Sequence, residues 1–456
     1  MLGNTTALAD AVSPGFTPLA RWPSPGRYPL VLLQQVAVNL ALRETESGGL
    51  LGVNGPPGTG KTTLLRDLVA GVATARAEAM AKFEDPETGH VERRIPHIVE
   101  AEQPPSTHEE ALERWKSTRK RFRRALDKSR QSQTWSESLR TDLARLPALA
   151  QAEADAKAKR DAATENARRL QAALATARRT EAETSRQLQH ADQELHTHDL
   201  AKPGFWARLF RTRASREWSD KLKVLRANHR GMVTQHTKKT AERRHIEDEV
   251  RRGLLEQQNT ETAWQAACAQ HQQAKQRLTE AQQEYGVVLV DATFFALEHA
   301  KRHQSTPWFP PAAQRLRDEV FISAMAVHRA FIDAAAKPLR HNLGALMNAF
   351  TTQTLPGAEK QVLLPDLWAS LFLVVPLVST TFASVNRMLG KLPPENLGWL
   401  FVDEAGQALP QAAVGALLRT RRAVVVGDPV QIEPVVLLPD TLTNAICRHF
   451  GVDPER

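Results

Sequence analysis

Apolar and polar positions divide the chain into three stretches with different periods. Near the start, GLLGVN at residues 49–54 is a strand-length apolar block that enters a glycine-rich loop. The following TTLLRDLVAGVATARAEAM has the spacing of an amphipathic helix. From about residue 101 to residue 285 the chain is dominated by Ala, Gln, Glu, Arg and Lys, with few β-branched residues. Within it Ala167, Leu170, Leu174, Ala177, Glu181, Thr184, Leu188, Ala191 and Leu195 recur at spacings of three and four. Trp264, Ala267, His271, Ala274, Leu278, Ala281 and Tyr285 repeat that alternation. Both are heptad seams of small or leucine side chains. Between them lies LAKPGFWARLFRTR, residues 200–213, where Pro203 and Gly204 break any continuous helix.

This pattern predicts an antiparallel helical hairpin with its tip near residues 200–213. Arms of roughly seventy to ninety residues would project on the order of 100 Å. Pro147 is expected to kink or interrupt the outgoing arm. A parallel dimeric coiled coil is the rival. The hairpin is preferred because the chain must return to finish the α/β part that it left. After residue 285 a helix-rich stretch leads to three apolar segments of strand type, LFLVVPLVSTT, LGWLFVDEA and RAVVVGDP. Each ends in polar residues, as buried parallel strands do when they deliver functional groups at their C-terminal ends. The expected class is α/β with a parallel sheet, divided as residues 1–100, a helical arm over 101–285, and 286–456.

A length of 456 residues allows two or three domains, and 42% hydrophobic residues permit a core. The net charge of +9 and pI near 9.7 suit a polyanionic partner, either nucleic acid or an acidic membrane surface. Cys268 and Cys447 are too few for a disulfide framework, so a reducing cytoplasm is expected. The N-terminus shows no basic leader followed by a long apolar run. LFLVVPLV, residues 371–378, is the longest apolar stretch and is far short of a bilayer span, so it reads as a buried strand. The histidines, including His190, His196, His198 and His328, lack metal-ligand spacing.

Three segments carry candidate chemistry. Residues 55–63, Gly55-Pro56-Pro57-Gly58-Thr59-Gly60-Lys61-Thr62-Thr63, fit the phosphate-loop pattern between a strand and a helix. Glycines let backbone N–H groups turn toward phosphates, and the helix N-terminus adds a positive dipole. Lys61 would bridge phosphate oxygens, and the Thr62 hydroxyl would ligate Mg²⁺. Asp403 and Glu404 follow the apolar residues 400–402. Such an acidic pair suits metal holding by the first and water handling by the second, with Gln407 one turn on. VVVGDPVQIEP, residues 424–434, presents Gln431 as an amide able to sense the γ-phosphate.

Taken in order, GPPGTGKT, STTFAS, DEAGQ and GDPVQIEP resemble the first RecA-like motor domain of a superfamily 1 helicase. The branch is that of the nonsense-mediated-decay and nuclear replication helicases and their bacterial relatives. The resemblance covers about residues 28–75 and 360–440, and not the arm. It implies a RecA-like P-loop NTPase domain interrupted by a coiled-coil insertion, with ATP and Mg²⁺ as cofactors. It also implies translocation on single-stranded DNA or RNA, moving 5′ to 3′. In the family the DEAxQ motif handles metal and water, and GDxxQ couples nucleotide state to nucleic-acid grip. A threonine pair, here Thr380 and Thr381, contacts the nucleic-acid backbone. An adenine-reading glutamine precedes the loop. That role falls to Gln34 or Gln35, the spacing to Ala37 and Val38 favouring Gln34, and a plain amphipathic helix is the other reading.

Two departures stand out. The family's strand ending in a strand-binding segment corresponds here to RRIPHIVEAEQPPSTHEE, residues 93–110, where HIVEAE, residues 97–102, is at best a fragment of such a strand and the motif is not placed. The chain also ends soon after Pro434, so the second RecA-like domain, which supplies arginines worth about 10³ to 10⁵ in rate, is expected to be absent. The expectation is an ATP-binding motor domain that hydrolyses slowly until a second motor domain completes it in trans. The alternative is a hydrolytically weak ATP-binding scaffold whose arm holds a partner. A transporter-like ATPase with a split site is disfavoured, because no LSGGQ-type signature precedes the acidic strand. Residues 113–130 concentrate positive charge around Trp115 and Phe122, giving either a nucleic-acid track or, preferred, a solvated helix face. At the tip, Phe205, Trp206, Leu209 and Phe210 stand among Lys202, Arg208, Arg211 and Arg213. They would dock a protein partner, a membrane surface or DNA, or close a local cap over the hairpin end.

Overall fold

The structure is a computed structural model that describes residues 4–23, 29–43, 48–89, 107–352, 362–428, 430 and 439–453. It divides into two compact units, Met1–Thr141 with Thr279–Arg456, and residues 142–278.

The first unit is α/β. Its sheet has three parallel strands, β1 (Gly49–Asn54), β2 (Leu397–Val402) and β3 (Thr420–Gly427), in the order β1-β3-β2. β3 therefore lies between the strand entering the glycine loop and the strand carrying the acidic pair. Residues 51, 53, 399, 401, 424 and 426 share one face by the two-residue period of a strand. Against that face pack Leu30, Val38, Ala41, Leu64 and Leu68, from the segment before and within helix Leu32–Arg43 and from helix Lys61–Met80. Leu400 turns to the other face, where Leu346, Leu367, Trp368, Val385, Leu389 and Ala416 form a second cluster. Those residues come from helices Ala336–Thr352, Leu364–Val374, Phe382–Leu389 and Pro410–Leu418.

The expected strand at 371–378 is not formed. Its first half belongs to helix Leu364–Val374, which starts with a proline in its first turn and buries Leu364, Leu367 and Trp368 at helical spacing. Pro376 follows, and the residue before a proline is biased away from helical geometry; Val375 accordingly has φ −117° and ψ 89°. The candidate strand at 97–102 lies outside the described residues.

A third cluster fixes the back of the glycine-loop helix. Ala73, Ala77 and Met80 pack against Val320, Ala324, Val327 and Phe331 of helix Pro311–Ala334. Trp115 and Phe122, at the start of helix His108–Leu200, are fully buried in the same cluster. The indole of Trp115 lies edge-on to Phe331 and donates to Glu84 O at 3.1 Å. These aromatics are core, so the basic segment around them presents only its charged face to solvent. Beside this cluster Arg21 pairs with Asp318 at 3.1 Å, and Arg317 donates to Pro18 O at 2.8 Å and Gln314 Oε1 at 2.8 Å. Burial lowers the Arg317 pKa to about 10. Burial also raises the Asp67 carboxyl, against the opposing pull of Arg317 and a hydrogen bond from Trp22 N.

The second unit is built from the continuation of helix His108–Leu200 and from helix Arg213–Gln283. The two helices run antiparallel. Arg277 meets Asp142 at 2.6 Å, Arg178 meets Glu247 at 2.9 Å, and His229 meets Asp192 at 2.6 Å. The expected seam positions face inward. Ala167, Leu174 and Ala191 are buried, as are Ala274 and Leu278 on the returning helix. Gly253 sits where a Cβ would come 2.9 Å from Leu170 Cδ1, so the backbones approach closely there. The first helix continues through Pro147 without interruption. Tyr285 lies beyond the end of the second helix, exposed and edge-on to Trp135 rather than in the seam. No helix among the described residues is long and apolar enough to cross a membrane.

Candidate functional site

All three strands are parallel, so the glycine loop, the acidic turn and the segment after Gly427 leave the sheet at the same edge. Gly55 N donates to Gly427 O at 3.1 Å, which ties the first residue of the loop to the end of β3. Two left-handed glycines, Gly58 at φ +80° and Gly60 at φ +76°, then turn the chain into helix Lys61–Met80. Within the loop, Thr59 Oγ1 donates to Pro56 O at 2.7 Å. The N–H groups of Gly58, Gly60, Lys61 and Thr62 have no acceptor among the described residues. Unpaired N–H groups at a helix start, with the helix dipole behind them, form an anion site.

Gln34 is built into this loop. Its Nε2 donates to Thr59 O at 2.7 Å and to Gly60 O at 3.4 Å, while its Oε1 accepts from Val31 N at 3.1 Å. Gln35 instead donates to Leu30 O. Of the two candidates, Gln34 is therefore the one placed at the glycine loop, and it holds the loop's own carbonyls.

The Lys61 ammonium is nearly buried, donates to Gly55 O at 3.0 Å, and lies 3.8 Å from Glu404 Oε1. Loop and acidic turn thus meet through this pair. Asp403 is exposed, and its Oδ1 accepts from Glu404 N at 3.0 Å. Glu404 has φ 51° and ψ 44°, left-handed backbone in a residue with a side chain, and it leads into the short turn Ala405–Gln407. Holding such a conformation costs about 1–2 kcal/mol, and the packing of the following residues maintains it. A Cβ on Gly406 would stand 2.5 Å from Asp428 O, and one on Gly427 would stand 3.0 Å from Gly406 N. The acidic turn and the end of β3 are therefore in backbone contact. The sequence reading missed this junction, whose signal was the glycines of DEAGQ and VVVGDP.

Asp428 is buried, and its Oδ1 accepts from Val430 N at 3.0 Å. Gln431 lies outside the described residues. Thr62 and Thr63 are exposed at the start of the helix, and Gln407 is exposed beside the acidic turn. No hydrogen bond among the described residues joins Thr380 or Thr381 to this group. They immediately precede helix Phe382–Leu389, where Thr380 Oγ1 reaches only Thr381 O, at 3.5 Å.

Among the described residues no three of His, Cys, Asp and Glu converge on a metal position. The oxygens on offer are those of Thr62 and Asp403, hard donors suited to Mg²⁺ if phosphate and water supply the rest of its shell. A cavity of about 520 Å³ lies elsewhere in the first unit, lined by Val72, Arg76, Phe372, Leu377, Met388 and Phe401 among others. No glycine-loop or acidic-turn residue lines it. The unpaired N–H groups, Lys61, Asp403 and Glu404 lie at the loop and the acidic turn and do not line this cavity.

Comparison of the chain with protein-family models, with curated proteins and with solved structures gives no match.

Proposed function

We propose that the chain contains the ATP-binding, RecA-like motor domain of a superfamily 1 DNA or RNA helicase. In this reading a long antiparallel coiled-coil arm interrupts the domain, and a second motor domain completes it. The observation that carries the proposal is the meeting of a glycine loop and an acidic turn at one edge of a parallel sheet. There Lys61 Nζ lies 3.8 Å from Glu404 Oε1, although the two residues are far apart in sequence. The motif order in the sequence supports the helicase branch.

The resemblance assigns the residue roles, and the geometry at the loop and the acidic turn supports those of Lys61 and Glu404. The free N–H groups of Gly58, Gly60, Lys61 and Thr62 donate to the β- and γ-phosphate oxygens. Lys61 exchanges Gly55 O and Glu404 for phosphate, and this frees the Glu404 carboxylate to orient the attacking water and take its proton. Thr62 and Asp403 would hold Mg²⁺, which would neutralise charge on the phosphate oxygens. Gln34, already bonded to the loop carbonyls, links the adenine side of the site to the loop's shape. Gln407 and Gln431 sense the γ-phosphate, and Thr380 and Thr381 contact the nucleic-acid backbone.

The test is ATP turnover by the full chain with and without single-stranded DNA or RNA. Slow turnover that single-stranded DNA or RNA raises is expected of the wild type alone, well below the rate of a motor completed by its second domain. Glu404→Gln should bind ATP but lose about 10²- to 10⁴-fold in rate. ATP binding without stimulated turnover in the wild type would replace the motor by the ATP-binding scaffold. Absence of binding would remove both.

A further inference from the structure

The tip of the helical hairpin is built to leave apolar side chains in solvent. Just below it, Trp218 Nε1 donates to His198 O at 3.0 Å, and the two rings stack at 5.4 Å. His198 Nε2 lies 3.0 Å from Trp218 O, which completes a reciprocal clasp between the helices. The hairpin is therefore closed by His198 and Trp218, and the residues beyond them are not needed as a cap. Leu200, Phe205, Trp206, Leu209 and Phe210 are 58–75% exposed. Four of them lie on or beside the five-residue helix Phe205–Leu209. The rings of Phe205, Trp206 and Phe210 touch one another instead of a core.

That helix ends in a left-handed turn. Thr212 N donates to Ala207 O and Arg211 N to Arg208 O, the paired bonds of a Schellman motif. Arg211 occupies its left-handed position at φ 46°. Glycine is the unstrained residue there, so the arginine carries its charge at a conformational cost. Lys202, Arg208, Arg211 and Arg216 have no acidic partner among the described residues, whereas Arg213 is taken by Glu217. Asp199 is the only acid in residues 199–216.

We infer that this tip docks on an anionic lipid surface. The cations require a negatively charged partner, and a second copy of the tip would bring like charges together. A nucleic acid would use the rings for stacking but would gain nothing from Leu200 and Leu209. A bilayer interface takes aliphatic and aromatic side chains together, with tryptophan at headgroup level and guanidinium groups on the phosphates. Each cation near such a surface strengthens partition about fivefold. The inference does not rest on the nucleotide reading, because it uses only the tip.

The test is flotation of the full chain with phosphatidylcholine vesicles, with and without phosphatidylserine, as salt is raised. The wild type should float with the anionic vesicles alone and detach with salt. Trp206→Ser with Phe210→Ser should weaken binding by about tenfold or more without changing the melting temperature, since these side chains are outside any core. Arg211→Gly should weaken it about fivefold while relieving the turn. Three results would overturn the inference. They are no flotation of the wild type, equal flotation of the tip variants, or tip variants that instead lose binding to a labelled single-stranded oligonucleotide.

Discussion

A single methyl group at Gly60 probes the loop that the nucleotide reading depends on. Gly60 has φ +76° and ψ 30°, a conformation that costs an L-residue about 1–2 kcal/mol. A Cβ there would also stand 2.4 Å from Gln34 Nε2. The amide would have to leave Thr59 O and the more distant Gly60 O, together about 1 kcal/mol. Gly60→Ala is therefore expected to disfavour the phosphate-ready loop by about 2–3 kcal/mol. Affinity for a fluorescent ATP analogue should drop roughly 30- to 150-fold. Gln34→Ala removes the bonds without the strain, and should cost about 1 kcal/mol, or roughly fivefold. In the double variant the clash has gone and the lost bonds are counted once. Its affinity should then match that of Gly60→Ala alone, a coupling of about 1 kcal/mol. Anisotropy titrations give the four affinities, and urea melts check that all four proteins fold. Strict additivity, to within about 0.3–0.5 kcal/mol, would refute the contact between Gln34 and Gly60.

Two further predictions concern stability. His328 is buried against the glycine-loop helix with its Nε2 2.9 Å from Ala73 O, and burial lowers its pKa below 6.5. The unfolded chain takes up this proton near pH 6.5 and the folded protein resists it, so stability is full above that pH and falls as pH drops through the folded pKa. The thermal midpoint should decline on going from about pH 7.5 to pH 5.5, and decline less in His328→Gln; equal slopes would show that His328 is not responsible. At Glu404, both Glu404→Gly and Glu404→Ala remove the carboxylate and should abolish turnover. Only glycine relieves the left-handed backbone, so urea unfolding should find it about 1 kcal/mol more stable than alanine; equal stability would show that the turn is not strained.

What the sequence revealed depended on how local each feature is. The glycine loop was legible because strand, glycine spacing and helix are contiguous, and their geometry follows from residues 49–80 alone. The helical hairpin was legible because its seams repeat every three and four residues, and those positions are the inward ones. LFLVVPLV was misread because an eight-residue apolar run has no period that separates strand from helix. Its fate was set upstream, where Leu364, Leu367 and Trp368 continue it as a buried helical stripe. Burial of Trp115 and Phe122 was equally hidden, since their cover includes Phe331, far along the chain. Nor did any local pattern indicate that β3 would separate β1 from β2, or that Glu404 would adopt a left-handed backbone. The first depends on a pairing across the whole arm, and the second on backbone contact between the turn and residues 427 and 428.

Calorimetric titration of the full chain with ATP and Mg²⁺ tests the central claim most directly, that residues 55–63 and the turn after β2 form one nucleotide site. Saturable binding is expected in the wild type, weakened about tenfold or more in Lys61→Ala by loss of the charged phosphate contact and retained in Glu404→Gln. No binding by the wild type, or binding that Lys61→Ala leaves unchanged, would contradict it.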